Sequence, residues 1–331
     1  MTLGSQVAET AGPRSRLHEV FLSGAFAVTS ELQTTDGGDP ESVFEAAVPL
    51  AGKVDAVNCT DNSAAHPHIS QVAAGRLLLE RGIEPVAQFG CRDRNRLGLQ
   101  ADLLGAHALG IRNVVLMTGD DVTAGDHPEA KPLFDLDAMH LIRIARILRD
   151  EGTYLSGRPL SSAPTFLVGA VENPFAPPVE FRPARLEKKI EAGAEFIQTQ
   201  CIFNLQRMRS FMRAAVDLGC TERAWILAGV YIPRSARAAA YMRDIVPGID
   251  VPEDVVRRLE GVPKQRQEAE ALEMTLELCE ELRAMEGIAG LHLMSIKGDH
   301  LITEAIERLG LLPRPASVDE TGAASDRAST G

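Results

Sequence analysis

The sequence has 331 residues, of which 34 are Lys or Arg and 46 are Asp or Glu, so the formal net charge is −12. This negative charge argues against a protein that binds nucleic acid or an anionic membrane surface, because phosphate recognition needs a positively charged face. Hydrophobic residues make up 45% and charged residues 24% of the chain, which is the usual mixture for a globular protein of one large or two medium domains.

No segment approaches the roughly 18 to 20 consecutive apolar residues of a membrane helix, and the N-terminus lacks the apolar core of a signal peptide. We therefore expect a soluble, cytoplasmic protein. The five cysteines have no CxxC spacing and the chain is too long to need disulfides, so we expect reduced thiols. His66 and His68 flank a proline in a loop, and we predict no metal site there or at the cysteines.

Both ends of the chain have the composition of flexible tails. Residues 1–17 are mostly small and polar, and residues 313–331 mix Pro, Ser, Ala, Asp and Gly. Such segments cannot bury enough apolar surface to order themselves. We predict one folded domain over residues 18–312.

Between the tails, eight short apolar segments alternate with segments of helical periodicity. We predict strands at 25–32, 54–60, 84–90, 113–119, 165–172, 196–203, 224–232 and 291–296. Gly110 and Gly219 are placed to end helices, and 123–137 and 251–267 are predicted inserted loops. Eight such units predict an α/β protein with a single (β/α)8 TIM barrel. A doubly wound open sheet is the main competitor, but the sequence contains neither GxGxxG nor GxxxxGK[ST].

The carboxyl ends of barrel strands carry the chemistry in this fold, so polar residues there are candidate site residues. Glu31 closes an otherwise apolar first strand. A carboxyl group buried at such a position has a raised pKa, which a general acid needs at neutral pH. The alternative is a glutamate at the rim, held in a salt bridge. Asp120 follows the fourth strand within a TGDD segment, where a polar turn is the alternative.

Gln198 and Gln200 have the same parity, so both face the same side of the sixth strand. If that side is the barrel interior, their amides suit a heterocycle with an N–H beside a carbonyl, such as a pterin. The alternative is a polar layer that fills the barrel.

Several segments together resemble the methylenetetrahydrofolate reductase family. They are Glu31, the Gly119-Asp120 pair, RLEKKIEAGAEFIQTQCIFN (185–204), AGVYIPRSARAAAYM (228–242) and GLHLMSIKGDHLITEAIERLGL (290–311). The resemblance implies a (β/α)8 barrel that reduces 5,10-methylenetetrahydrofolate to 5-methyltetrahydrofolate. NADH or NADPH is the implied hydride donor, usually acting through bound FAD.

The resemblance also implies roles for individual residues. Glu31 corresponds to the general acid that protonates a folate ring nitrogen, Asp120 to an aspartate near the pterin and flavin, and Gln200 to a glutamine that hydrogen-bonds the pterin. The remaining expected ligand contacts are Gln198 and Lys297 for the substrate, and Asn58, Gln88, Thr118, Gly119, Lys188, Lys189 and Tyr241 for the cofactor.

Three departures from the family pattern concern the flavin. Gln88 stands where relatives have His, Thr118 where they have Arg, and Val171 where they have Tyr. Each change removes a type of side chain that contacts flavin, whereas Lys188 and Lys189 keep a basic pair for phosphates. The sequence therefore favours direct hydride transfer without FAD. A folate-dependent methyltransferase and a non-catalytic folate-binding barrel remain alternatives.

Overall fold

The computed structural model describes residues 12–32, 35–246 and 248–315. The strands are β1 Ala27–Leu32, β2 Ala56–Cys59, β3 Pro85–Gly90, β4 Asn113–Met117, β5 Leu167–Glu172, β6 Phe196–Cys201, β7 Trp225–Tyr231 and β8 Ile288–Met294. The helices are α1 Arg16–Leu22, α2 Pro40–Ala47, α3 Gln71–Glu80, α4 Arg96–Ala108, α5 Ala138–Arg146, α6 Arg182–Ala192, α7 Leu205–Asp217, α8 Ala236–Asp244, α9 Glu253–Glu260, α10 Gln267–Arg283 and α11 Asp299–Arg308. None of these helices is long and apolar enough to cross a membrane.

The eight strands form a closed parallel barrel in chain order, and β8 pairs back onto β1. The predicted single (β/α)8 TIM barrel is therefore confirmed. Side chains alternate between the two faces of each strand. On β1, Val28 and Leu32 pack toward the surrounding helices, whereas Ala27, Thr29 and Glu31 face the interior. This alternation brings polar residues of several strands to one end of the barrel.

The amino-terminal end of the barrel is filled by apolar side chains. Phe21 of α1 stacks on Trp225 with ring centroids 4.8 Å apart and an interplanar angle of 5°. Phe196 fills the space above Gly169, where a Cβ atom would lie 2.3 Å from the phenyl ring. Close-packed rings exclude water from this end, so the opposite, carboxyl end is where a ligand can enter.

The predicted N-terminal tail extends too far into the chain. Residues 1–11 lie outside the described residues, but α1 begins at Arg16, and the Ser15 side chain caps it by accepting a hydrogen bond from the backbone of His18. Leu17 is completely buried. The helix forms because its apolar face, which includes Leu17 and Phe21, seals the barrel.

The predicted C-terminal tail also begins too early. The Arg314 guanidinium pairs with the Asp55 carboxylate at 2.6 Å, and the two side chains are 4% and 0% exposed. Arg314 also donates to the carbonyl oxygens of Phe26 and Leu311. A buried carboxylate needs such a partner, so the folded domain continues at least to Arg314. Residues 316–331 lie outside the described residues.

Two elements differ from the predicted ones. The segment 251–267, predicted to be a loop, contains α9. This helix forms because Val256 and Leu259 make an apolar face that is buried against α8. Strand β8 begins at Ile288 rather than residue 291. It includes Gly290, where a Cβ atom would lie 2.4 Å from the Ala27 carbonyl oxygen, so this position in the strand requires glycine.

The Arg314–Asp55 contact leads to a prediction about stability. The Arg314→Ala variant leaves a buried carboxylate without its cation, so the free energy of unfolding should fall by about 3–5 kcal/mol in urea denaturation. Lys53→Ala is the control, because it removes a Lys53–Glu307 pair whose side chains are 33% and 53% exposed. The control should lose less than about 1 kcal/mol. Equal losses in the two variants would show that the Arg314 contact does not stabilise the barrel.

Candidate active site

A cavity of about 420 Å³ opens at the carboxyl ends of the strands. Of the residues predicted from the sequence, those that line it are Glu31, Gln88, Thr118, Gly119, Asp120, Lys189, Gln198 and Gln200. A larger groove of about 660 Å³ lies beside α9 and α10, and none of the predicted site residues lines it. Parallel strands end at the same rim, which is why residues from distant parts of the chain meet in the smaller cavity.

Glu31 lies near the end of β1 and reaches into the cavity. Its side chain is half-buried, and Gln88 Nε2 donates a hydrogen bond to its Oε2 at 3.1 Å. Desolvation raises the pKa of the Glu31 carboxyl from 4.5 to about 7, and the hydrogen bond from Gln88 opposes this shift. Within the described residues, Glu31 forms no salt bridge with a cation. The carboxyl group is therefore about half protonated at neutral pH.

Deeper in the barrel, a layer of polar but uncharged side chains lies below Glu31. The amides of Gln198 and Asn58 exchange hydrogen bonds of 2.7 and 3.1 Å. Thr29 Oγ1 lies 2.9 Å from His292 Nδ1, and burial lowers the pKa of His292 to about 4, so the ring is neutral at pH 7. Asn58, predicted to contact a cofactor, is fully buried in this layer, because Gln198 satisfies its amide.

The turn after β4 holds Asp120 at the rim of the cavity. Gly119 has φ +97°, and a Cβ atom there would lie 3.2 Å from Arg92 Cβ, so glycine is needed both for the backbone conformation and for the approach of Arg92. The Asp120 carboxylate accepts a hydrogen bond from the Ala64 backbone at 3.2 Å and is otherwise exposed. Asp120 is therefore a turn residue whose carboxylate also faces the cavity.

Two arginines after β3 brace this side of the cavity. Arg92 donates to the carbonyl oxygens of Asp120 and Asn62 and pairs with Asp93 at 2.7 Å. Arg94 pairs with Asp61, whose carboxyl has a pKa raised by burial even though Arg94 acts in the opposite direction. These pairs engage both guanidinium groups, so neither of them stabilises the Glu31 carboxylate.

On the other side of the cavity, Lys189 of α6 is held by an acidic partner. Its Nζ donates to the Glu172 carboxylate at 2.6 Å and to the Val171 carbonyl oxygen at 2.5 Å. The side chains of Lys189 and Glu172 are 5% and 0% exposed. Burial lowers the pKa of Lys189, whereas the negative charge of Glu172 raises it. The charge of Lys189 is therefore largely balanced by Glu172.

Besides Asn58, three residues predicted to contact ligands do not line this cavity. Lys188 precedes Lys189 on α6, so it points away, and its Nζ lies 5.1 Å from the centre of the Phe181 ring. Tyr241 on α8 is 56% exposed and borders a separate surface depression. Lys297 follows β8 with φ 56° and is exposed to solvent. These residues were predicted to contact ligands because they lie in segments that resemble the family. The direction of their side chains separates them from Glu31.

Sequence reasoning missed four residues that the structure brings to this end of the barrel, namely Thr29, Arg182, Arg185 and His292. The last three line the cavity. A signal existed for two of them: positions 182, 185 and 189 share one helical face. For Thr29 and His292 the signal was strand parity, since Thr29 has the parity of Glu31 and His292 lies between two leucines.

The cysteines and the histidines near residue 66 have structural contacts. All five cysteines are free thiols, and burial raises the pKa of Cys59 and Cys201 to about 12. His68 Nδ1 contacts Asp36 at 2.8 Å, and His66 Nδ1 contacts the Ala64 carbonyl oxygen. In the part of the chain that the structure describes, no three His, Cys, Asp or Glu side chains are arranged to hold a metal ion.

Fold and site together define a TIM-barrel protein with a polar cavity and a protonatable carboxyl group at the carboxyl face of the barrel. The chain belongs to the methylenetetrahydrofolate reductase family, whose sequence profile matches residues 16–310. This match spans every strand of the barrel and includes all of the cavity residues named above, and it confirms the family resemblance found in the sequence.

Curated relatives carry the family name. A probable methylenetetrahydrofolate reductase (NADPH) of Caenorhabditis elegans is 23% identical over 73% of this chain and 34% of its own length. Methylenetetrahydrofolate reductase 1 of Schizosaccharomyces pombe is 25% identical over 70% of this chain and 36% of its own length. The chain thus matches about a third of the length of these relatives.

Solved structures share the fold. A protein from Clostridium thermocellum that binds two copies of 5-methyl-5,6,7,8-tetrahydrofolic acid has a TM-score of 0.62 at 14% identity, covering 89% of this chain and 97% of that chain. The EDTA monooxygenase of Chelativorans sp. BNC1 has a TM-score of 0.54 at 11% identity, covering 87% of this chain and 93% of that chain. At these identities the similarity establishes a common barrel and nothing about ligands.

Proposed function

We propose that the protein reduces 5,10-methylenetetrahydrofolate to 5-methyltetrahydrofolate with NADH or NADPH as hydride donor. Family membership supports the reaction, and the name of the nematode relative, a methylenetetrahydrofolate reductase (NADPH), supports a nicotinamide donor. The observation that carries the proposal is the Glu31 carboxyl group, whose pKa is about 7 and which faces a cavity of suitable polarity.

Glu31 serves as the general acid of this reaction. Its proton passes to a ring nitrogen of the folate, and the bond from that nitrogen to the methylene carbon breaks. The electrophilic iminium that results accepts a hydride from the nicotinamide at the same carbon, which becomes the methyl group. A group whose pKa lies near the working pH is suited to this transfer, because it is protonated before the step and readily loses its proton during it. Water at the half-exposed carboxyl then restores the proton.

Gln200 and Asp120 are suited to orient the pterin. Gln200 Oε1 accepts a hydrogen bond from the Cys201 backbone at 3.0 Å, which leaves its Nε2 to donate to a carbonyl oxygen of the ligand. Asp120 can accept hydrogen bonds from ligand N–H groups at the rim. Gln198 lies deeper, where its bonds to Asn58 and Thr29 hold the floor of the cavity in place.

The resemblance implies flavin contacts at several residues, and the contacts that these residues make here support a reaction without FAD. Lys188 faces away from the cavity, and Lys189 is already paired with Glu172. Gln88 donates to Glu31, and Thr118 Oγ1 accepts a hydrogen bond from the backbone at the start of α5. These side chains therefore fit a flavin diphosphate and ring poorly. We propose that the nicotinamide passes its hydride directly to the iminium.

Neither of the two alternative functions requires Glu31 to donate a proton during the oxidation of a nicotinamide. A folate-dependent methyltransferase moves an existing methyl group and oxidises no nicotinamide. A barrel that only binds folate has no use for a carboxyl group kept protonated without a cation beside it. Oxidation of NADH or NADPH that depends on 5,10-methylenetetrahydrofolate distinguishes the reductase from both alternatives.

The first test of this function removes the acid. Glu31→Gln keeps the shape and one hydrogen bond but cannot donate the proton, so kcat should fall by about 10²- to 10⁴-fold while folate affinity changes little. Wild-type kcat should decline as the pH rises through about 7, the pKa of Glu31, since only the protonated form is active. The residual rate of the variant should not show this decline.

Glu45→Gln is the matched control, because Glu45 is exposed on α2 and does not line the cavity. This variant should keep both the wild-type rate and the wild-type pH profile. A Glu31→Gln enzyme that retains more than a tenth of wild-type turnover would remove Glu31 from the role of general acid.

A second test concerns direct hydride transfer. Without an enzyme-bound carrier, both substrates must be bound together, so initial-rate plots should intersect, and the purified protein should be colourless and fully active without added flavin. A flavin enzyme would give parallel lines, because the carrier is reduced before folate binds. Parallel lines with a stoichiometric yellow chromophore would refute direct transfer but would leave the Glu31 proposal intact.

A further inference from the structure

One face of α6 presents three basic residues to the cavity. Arg182, Arg185 and Lys189 are spaced three and four residues apart, and all three line the cavity. Residues at this spacing lie on the same side of a helix. The face stands beside Glu172 of β5, whose carboxylate lies within 4 Å of Arg182 and Lys189.

The three basic residues differ in what they contact. Lys189 donates to Glu172 and to a backbone carbonyl oxygen. The Arg182 guanidinium donates to the carbonyl oxygens of Ala176 and Pro177 and lies 3.6 Å from Glu172. In the described ranges 12–32, 35–246 and 248–315, Arg185 forms neither a hydrogen bond nor an ion pair. It is half-buried, so its charge faces the cavity without a counter-charge.

Charge is distributed unevenly around the cavity. On the α6 side, three cations accompany the single carboxylate Glu172. On the side of β2 to β4, three carboxylates, Asp61, Asp93 and Asp120, accompany two arginines. The repulsion among the α6 cations is visible in Lys189, whose pKa is lowered in part by Arg185 and Arg182. An anionic group bound on the α6 side would relieve this repulsion.

We propose that Arg185 binds an anionic group, a phosphate or a carboxylate, of a ligand that enters the cavity, and that it thereby fixes the direction in which that ligand lies. A guanidinium presents parallel N–H donors that match both groups. This inference rests on the proposed function for the identity of the ligands: the diphosphate of the nicotinamide donor and the glutamate carboxylates of the folate are the two sources of such a group. In either case the reacting part of the ligand points toward Glu31 and Asp120.

The test measures the binding of two probes by calorimetry at low ionic strength. Inorganic pyrophosphate represents the dinucleotide, and p-aminobenzoyl-L-glutamate represents the folate tail. Arg185→Ala should weaken the binding of one probe about tenfold, which corresponds to about 1.4 kcal/mol, and Arg185→Lys should recover part of the loss. Added salt should weaken binding to the wild type more than to Arg185→Ala. Alanine is a strong helix former, and circular dichroism verifies that α6 and the barrel remain folded.

Arg213→Ala is the matched control, because Arg213 is an exposed arginine on α7 that does not line the cavity. It should bind both probes like the wild type. A loss confined to pyrophosphate assigns Arg185 to the dinucleotide, and a loss confined to p-aminobenzoyl-L-glutamate assigns it to the folate tail; both results support the proposal. The proposal is overturned if the wild type binds neither probe, or if Arg185→Ala binds both as the wild type does.

These binding measurements need no turnover. A protein that fails to oxidise nicotinamide but shows Arg185-dependent anion binding would refute the proposed reductase and keep the anion site. An active reductase whose Arg185→Ala variant binds both probes normally would keep the proposed reductase and refute the anion site. KM values of Arg185→Ala for the two substrates then relate the anion site to the reaction, since loss of a ground-state contact raises KM more than it lowers kcat.

Discussion

The raised pKa of Glu31 depends on the layer of uncharged polar side chains beneath it. A carboxyl group near four hydrogen-bonding side chains could be stabilised as an anion if any of them were positively charged. His292 is the only titratable group among them, and burial keeps it neutral. Gln198, Asn58 and Thr29 satisfy one another and the imidazole. The layer therefore provides hydrogen bonds to the interior without offering Glu31 a counter-charge.

The same constraint explains how the charged residues around the cavity are paired. Arg94 is bound to Asp61, Arg92 to Asp93, and Lys189 to Glu172. Each of these three cations has its own acidic partner, and desolvation is the largest influence on the pKa of Glu31. Such pairing costs some desolvation energy in each pair, but it leaves the general acid about half protonated at neutral pH.

The barrel itself creates this arrangement by simple alternation. Interior positions of the strands are filled by aromatic and aliphatic groups at the amino end, by polar neutral groups in the middle, and by titratable groups at the carboxyl end. Phe21, Trp225 and Phe196 exclude water from below. A ligand that enters the cavity would exclude it from above, so the environment of Glu31 would become still less polar on binding.

Much of this could be predicted from the sequence, and the failures have a common cause. Period-2 and helical patterns located all eight strands, and strand parity put Gln198 and Gln200 on the same face, which in the structure lines the cavity. The limits of the folded domain were missed because they depend on contacts with distant residues, such as that of Arg314 with Asp55. The sequence also cannot show that Glu172 neutralises Lys189, since the two residues meet only when β5 and α6 pack together.

A family resemblance assigns roles by position in the sequence. Whether a residue can perform such a role depends on the direction in which its side chain points. Lys188 and Lys189 are adjacent in sequence but lie on different faces of α6, and only one reaches the cavity. Arg185, to which the resemblance assigned no role, lies on the face that does reach it. Side-chain direction along a helix was available from the spacing of the three basic residues, and it is the signal that sequence reasoning should have used.

The most direct test of this account is the titration of the Glu31 carboxyl group itself. Infrared difference spectra between the wild type and Glu31→Gln isolate the C=O stretch of the protonated acid, which can be followed across the pH range without substrate. The account predicts a midpoint at about 7. A midpoint near 4.5, the ordinary value for glutamate, would contradict it, because the carboxyl group would then be ionised at neutral pH and could not supply the proton.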